Sequence, residues 1–183
     1  MTLQSFTDEP THIGQLRDTV AKFVAKHAPR EARIAWDRAH AWPRDVYAEL
    51  NKLGLTALTV PTEYGGAGQD IVAAIAVIEE LAMAGPCLAG PFIHTAFYGG
   101  MNLSENGSPE QKAEYLPRLA RGELFFAYGL SEPDVGGDLA SVTTRAARDG
   151  DTVVINGANR WCSGADWAHV IYALVRSGEP GDR

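Results

Sequence analysis

The densest chemistry in this 183-residue chain lies in Tyr128-Gly-Leu-Ser-Glu-Pro-Asp-Val-Gly-Gly-Asp138. Ser131 brings a hydroxyl, Pro133 stiffens the turn, and Gly136 and Gly137 present backbone N–H groups that no side chain obstructs. Such a set suits a bound phosphate or a hydrogen-bonding heterocycle. It suits a plain polar loop equally well, and spacing alone does not separate the two. A second Gly-rich stretch, Thr59 to Gln69, lacks the closing Lys and Ser/Thr of a P-loop and follows no alternating strand, so it reads as a structural turn. Cys87 and Cys162 are too few for a disulfide framework and lack metal-ligand spacing, which predicts two reduced thiols and no metal.

The elements that must position this loop change character near residue 121. Before it the spacing is helical. Ile13, Leu16, Val20, Phe23 and Val24 recur at steps of three and four, and Val46, Leu50 and Leu53 repeat the pattern between Pro43 and Gly54. Ile71 to Met83 is apolar nearly all round and predicts a helix buried in mid-bundle. A fourth helix is predicted from Phe92 to about Leu103, after Gly85-Pro86 and Gly90-Pro91. Ser108-Pro-Glu-Gln111 is a capping box opening a fifth helix, which Pro117 should keep short. After Gly122 the residues favour strands: Leu124 to Tyr128, Val142 to Ala146, Thr152 to Ile155 across the Asp149-Gly150 turn, and Ala168 to Val175. The fold class is therefore α+β, an all-α helical bundle followed by a partial antiparallel β domain. Four strands alone would expose long edges, so further strands are expected from additional sequence or from a partner.

Composition excludes several functions. With 45% hydrophobic and 21% charged residues the chain has material for a buried core. Sixteen Lys and Arg against 23 Asp and Glu leave a net charge of −7, a poor match to a nucleic-acid backbone. The longest smooth apolar run meets Glu79 and Glu80 too soon for a membrane span, and MTLQSFTDEP lacks the basic flank and apolar core of a secretory signal. A cytoplasmic location is the expectation.

Ala127-Tyr-Gly-Leu-Ser-Glu-Pro-Asp-Val-Gly-Gly-Asp138, followed by Ser141-Val-Thr-Thr-Arg-Ala146 and Ile155-Asn-Gly-Ala-Asn-Arg-Trp-Cys-Ser-Gly164, resembles the acyl-CoA dehydrogenase family. The resemblance extends upstream through Val60-Pro-Thr-Glu-Tyr-Gly-Gly-Ala-Gly68, Glu79-Glu-Leu-Ala82 and Gly107-Ser-Pro-Glu-Gln-Lys112. It implies an N-terminal helical domain over residues 1–121 and an incomplete, flavin-binding middle β domain over residues 122–183. The family's C-terminal helical domain lies outside this sequence. The implied activity is α,β-dehydrogenation of an acyl-CoA thioester with hydride transfer to FAD, a step of lipid metabolism such as fatty acid β-oxidation. In most members the catalytic base is a Glu of the C-terminal domain, so no catalytic residue is assigned here and the isolated chain is expected to be inactive. The alternative is a non-catalytic subunit that binds flavin or acyl-CoA and pairs with a homologous partner.

By position, the resemblance implies that Tyr128, Leu130 and Ser131 meet the flavin ring, while Gly136 and Gly137 lie near phosphates and the CoA thioester. Trp161 matches an indole packed at the flavin, and Ser163 a hydroxyl near N5 and O4. Cys162, in the same stretch, is expected to point away. Gly137 stands where members usually carry Ser, which removes one side-chain hydrogen bond worth about 1.5–3 kcal/mol to a charged group. Phe92 and His94, with Phe97, are candidate walls of the acyl pocket. Electron-transfer flavoprotein is the implied electron acceptor, and a homo- or hetero-oligomer, dimer or tetramer, the implied assembly.

Overall fold

A computed structural model of the chain describes residues 9–178 and divides it into two compact units that meet at Phe125 and Phe126. The expectation of no secretory signal rests largely on residues 1–8, which lie outside the described residues. The first unit is helical and the second carries the strands, in accord with the α+β expectation.

In the helical unit α1 (Thr11–His27) buries Ile13, Val20 and Phe23, the face its spacing predicts, and carries Lys26 in its last turn, a cation that suits a helix C-terminus. The next helix, α2 (Arg30–Ala39), has no counterpart in the sequence reading. Apolar residues Ala32, Ala35, Trp36 and Ala39 fall at helical spacing, but three of these four are alanines and none is fully buried; Arg33 Nη1 donates to the Ala84 carbonyl at 2.7 Å. Helix α3 (Arg44–Asn51) buries Tyr47 and Leu50, but Leu53 falls in the turn beyond it and is largely exposed. Two 3₁₀ turns, Leu55–Thr59 and Thr62–Tyr64, follow. A Cβ at Gly66 would collide with the Val60 carbonyl, which explains one glycine of the Thr59–Gln69 stretch as a turn residue.

Helix α4 (Ile71–Ala84) opens on Asp70, whose carboxylate accepts from the Ala73 N–H at 2.9 Å. Burial all round was expected of it, and the structure corrects this. Ala73, Ala74, Ala76, Val77 and Leu81 face inward, whereas Val72 and Met83 are 61% and 82% exposed. Its acids serve α1: Arg17 donates to Glu79 and Glu80.

The fourth predicted helix begins six residues earlier than expected, as α5 (Pro86–Ile93), because Pro86 sits at the first turn where no N–H is needed. It runs on through a wider, π-wound stretch (His94–Met101) into α6 (Asn102–Asn106). Gly100 lets that stretch approach the Thr59 turn, whose hydroxyl donates to the Ala96 carbonyl at 2.5 Å. The capping box forms as predicted, with Gln111 N–H donating to Ser108 Oγ and Ser108 N–H to Gln111 Oε1. Yet α7 (Pro109–Ala120) passes through Pro117 to twelve residues; burial of Leu116, Leu119 and Ala120 outweighs the bond that proline forgoes.

In the second unit β1 (Phe126–Gly129) pairs with β4 (Val170–Ala173), matching Tyr128 to Tyr172, and β2 (Arg145–Asp149) pairs with β3 (Thr152–Asn156) in a hairpin. The hairpin is antiparallel and turns at Gly150 (φ 60°) as expected. The β1–β4 pair is parallel, and β2 starts three residues later than the alternation suggests. Among the described residues no helix is long and apolar enough to cross a membrane, and no group of three His, Cys, Asp or Glu could hold a metal ion.

Candidate functional site

The loop that follows β1 is fixed at both ends by backbone bonds. At its start the Gly129 carbonyl accepts from Leu174 N–H at 3.0 Å, carrying the sheet ladder one step past the paired strand. Two residues on, the Ser131 carbonyl accepts from Arg160 N–H at 2.8 Å and from the Asn159 side chain at 3.4 Å. Those bonds join the loop to the turn that bears Trp161. Ser131 is thereby held against Asn159 and Arg160, the residues just before Trp161.

Glu132 closes a tight turn with Val135 and sends its carboxylate across to the segment before β2. It accepts from Thr143 N–H at 2.9 Å, Thr143 Oγ1 at 2.6 Å and Thr144 N–H at 2.6 Å, and is only 5% exposed. This is why Val142 to Thr144 do not extend the strand: their donors are already committed. These bonds, the Thr143 hydroxyl first, hold the carboxyl down at about 2 despite its burial. Arg176 grips the same segment from its acceptors, donating to the carbonyls of Val142 and Ala140. One acid takes the donors of an irregular stretch and one base takes the acceptors. Asp138 accepts from the Ser141 hydroxyl and starts the turn Leu139–Ser141.

Gly136 and Gly137 are exposed, adopt φ values open to any residue, and have nothing within 4 Å of an added Cβ. The fold itself therefore places no demand for glycine at either position, which is what a loop that admits a ligand close to its backbone needs. Trp161 is 75% exposed in a left-handed conformation (φ 62°), with the Arg160 guanidinium 4.2 Å from its ring centroid. An exposed indole held in so uncommon a conformation offers a flat apolar surface. Ser163 is exposed, while Cys162 is half-buried with its Sγ 4.0 Å from the Arg160 carbonyl. Tyr128 stacks on Tyr172 at 6.2 Å. These groups fit a planar hydrogen-bonding ring carrying phosphates.

Phe92 and His94 lie in the helical unit. Phe92 is wholly buried and belongs to the core rather than to a pocket wall. His94 is half-buried against Tyr98, ring to ring at 5.6 Å. Phe97 does line a cavity of about 300 Å³, with Ile78, Tyr98 and Met101. A larger cavity of about 550 Å³ beside α2 is lined by Arg33, Trp36, Trp42 and Cys87; burial pushes the Cys87 thiol up and leaves it a poor nucleophile. The sequence reading missed Glu132, Asn159 and Arg176 as anchors, since no local pattern distinguishes an acid that caps its own turn from one that reaches residues eleven positions on.

Residues 11–123 match the family description "Acyl-CoA dehydrogenase, N-terminal domain" and residues 127–183 match "Acyl-CoA dehydrogenase, middle domain". Acyl-CoA dehydrogenase FadE12 of Mycobacterium tuberculosis is 35% identical over 164 residues, which are 90% of this chain and 42% of that protein. An acyl-CoA dehydrogenase from Bacillus anthracis solved with FAD superposes with a TM-score of 0.84 at 28% identity, covering 95% of this chain and 30% of that one. The ChsE4-ChsE5 complex of Mycobacterium tuberculosis superposes with a TM-score of 0.77 at 32% identity, covering 98% of this chain and 44% of the other. The chain thus spans less than half the length of the relatives it matches.

Proposed function

The chain belongs to the acyl-CoA dehydrogenase family, and from that premise we propose that it is the FAD- and thioester-binding part of an enzyme that oxidises an acyl-CoA to the 2,3-enoyl-CoA. The observation that carries this reading is the 2.8 Å bond from Arg160 N–H to the Ser131 carbonyl, which sets the glycine-bearing loop beside an exposed indole. When bound at these residues, FAD would supply the hydride acceptor for the substrate's β hydrogen.

The residues of this chain bind and orient. Tyr128, Leu130 and Ser131 offer backbone and hydroxyl groups to the ring edge, Trp161 covers a ring face, and Ser163 adds a second hydroxyl. Gly136 and Gly137 admit phosphates or the CoA thioester to their N–H groups. Removal of the α proton needs a carboxylate with a raised pKa, and Glu132, held at about 2 by its donors, does not supply it; Asp138 is engaged by the Ser141 hydroxyl within its own turn. The base is therefore not assigned to either. In the helical unit the cavity lined by Phe97 and Tyr98 is a candidate wall for the acyl group, with His94 behind it.

Electron-transfer flavoprotein as acceptor, an oligomeric assembly and a cytoplasmic location complete the proposal; an acidic chain with two free thiols goes with the last. The superposition on a two-component complex favours one further reading, a binding subunit that pairs with a homologous partner. Anaerobic addition of acyl-CoAs to the FAD-loaded chain together with the polypeptide segment that supplies the base, whether continuous with it or from a partner, separates the two. Loss of the flavin's visible absorbance supports the dehydrogenase, and bound thioester with unchanged absorbance supports the binding subunit. Replacing Trp161 by Ala should weaken FAD binding about tenfold; FAD affinity unchanged by that substitution removes the site from this loop.

A further inference from the structure

We propose that Glu132 is a positioning residue of the flavin site: clamped on the backbone of Thr143 and Thr144, it sets where Leu130 and Ser131 stand relative to the Trp161 turn. The inference rests on the flavin reading of this loop and adds a residue that reading does not use. Its partners are two backbone N–H groups and one hydroxyl, at 2.6–2.9 Å, with no cation among them.

The placement explains why an acid stands there. Ser131 is tied through its carbonyl to Arg160 and Asn159, and the residue directly after it is tied to Thr143 and Thr144. Two adjacent residues are thus pinned in different directions, which removes the rotation that a loop held at one point would keep. The Thr143–Thr144 post is itself fixed, since Arg176 N–H donates to the Thr144 carbonyl at 2.8 Å and the Arg176 guanidinium to Val142. Gly157 packs so closely on Thr144 that a Cβ there would overlap it, which ties the end of the hairpin to the same post. A neutral amide at position 132 would fill the same space but turn an NH₂ toward N–H donors that require an acceptor.

The test compares Glu132→Gln, Thr143→Val and Ser131→Ala in the full-length protein, titrated with FAD and followed by flavin fluorescence and by the visible spectrum of the bound fraction. Glu132→Gln should weaken FAD binding by at least about tenfold, the value of a lost charged hydrogen bond. The flavin that still binds should show an altered absorption band, which a merely lower folded fraction does not produce. Thr143→Val removes only the hydroxyl's bond and should shift affinity and spectrum in the same direction by about two- to fivefold; it decides the matter if Glu132→Gln does not fold. If Ser131→Ala weakens FAD while Glu132→Gln, or failing that Thr143→Val, keeps wild-type affinity and spectrum, the positioning role is wrong and the flavin site stands. If none of the three changes FAD binding, the flavin reading of the loop fails, and this inference with it.

Discussion

In the helical unit Ile13, Val20, Leu81, Leu88, Leu116 and Leu119 are at most 1% exposed, whereas every residue of β3 in the other unit is exposed, Val153 and Ile155 by more than half. The two regions are held by different forces. Helices bury apolar faces, and each buried Leu or Ile contributes roughly 1.5–3 kcal/mol. The stretch from Leu130 to Thr144 has little apolar surface, and its order comes from polar side chains: Glu132 on backbone donors, Arg176 on backbone acceptors, and Asp138 on the Ser141 hydroxyl within its own turn. A region built in this way can leave glycines and an indole open to a ligand, because its shape does not depend on covering them.

The largest expected effect belongs to the buried face. Leu116→Ala leaves a cavity beneath α7 and should destabilise the helical unit by about 2–5 kcal/mol, measured by denaturant unfolding followed through far-ultraviolet circular dichroism. A change below about 1 kcal/mol would mean that α7 is held by its caps and ends, and the contrast between the units would lose its first term.

Much of the helical unit is legible in the sequence for the same reason that this substitution should hurt. Apolar spacing marks α1 and α3, and the capping box marks the start of α7 before any packing is known. In α2 the helical spacing of Ala32, Ala35, Trp36 and Ala39 is carried mostly by alanines and makes a weak signal, and where burial opposes a local rule the rule loses, as at Pro117. In the second unit the hairpin is legible through Asp149-Gly150, but the parallel pairing of β1 with β4 joins segments some forty positions apart, and no local pattern encodes it. The candidate site divides likewise. Its residue types are readable along the loop; the bond from Arg160 to Ser131 and the reach of Glu132 to Thr144 depend on tertiary placement.

An intermediate effect should appear on acidification. The Glu132 carboxyl is held at about 2, well below its unfolded value, so its contribution is complete above about pH 4.5 and is lost as pH falls through the folded value. Wild-type protein should lose stability across that window by on the order of 1–3 kcal/mol more than Glu132→Gln, which has no carboxyl to protonate there. Parallel acid profiles for the two proteins would place the depression elsewhere. Amide exchange at Thr143 and Thr144 gives the local readout: protection relative to the intrinsic rate at each pH should fall in the wild type toward the low end of the window and already be low in the variant at neutral pH.

The smallest effect should come from the most conspicuous ion cluster. Arg17 on α1 donates to Glu9 at 2.9 Å and to Glu80 at 3.2 Å, and also reaches Glu79, so three acids raise its pKa, Glu79 first. Its side chain is nonetheless a quarter exposed, as is that of Glu80, while Glu79 is more than half exposed. Exposed pairs of this kind each contribute only about 0.2–1 kcal/mol and are screened by salt. Arg17→Met keeps the apolar stem over α4 while removing the charge, and should cost less than about 1 kcal/mol in low salt and still less in high salt. Glu132 has fewer partners than Arg17 but is buried, and loss of its charge leaves N–H groups without an acceptor, where loss of the Arg17 charge leaves acids that water can reach. The ranking therefore turns on solvent access rather than on the number of bonds: should Arg17→Met prove costlier than Glu132→Gln at neutral pH, the helical unit would depend on its charges as much as the loop does.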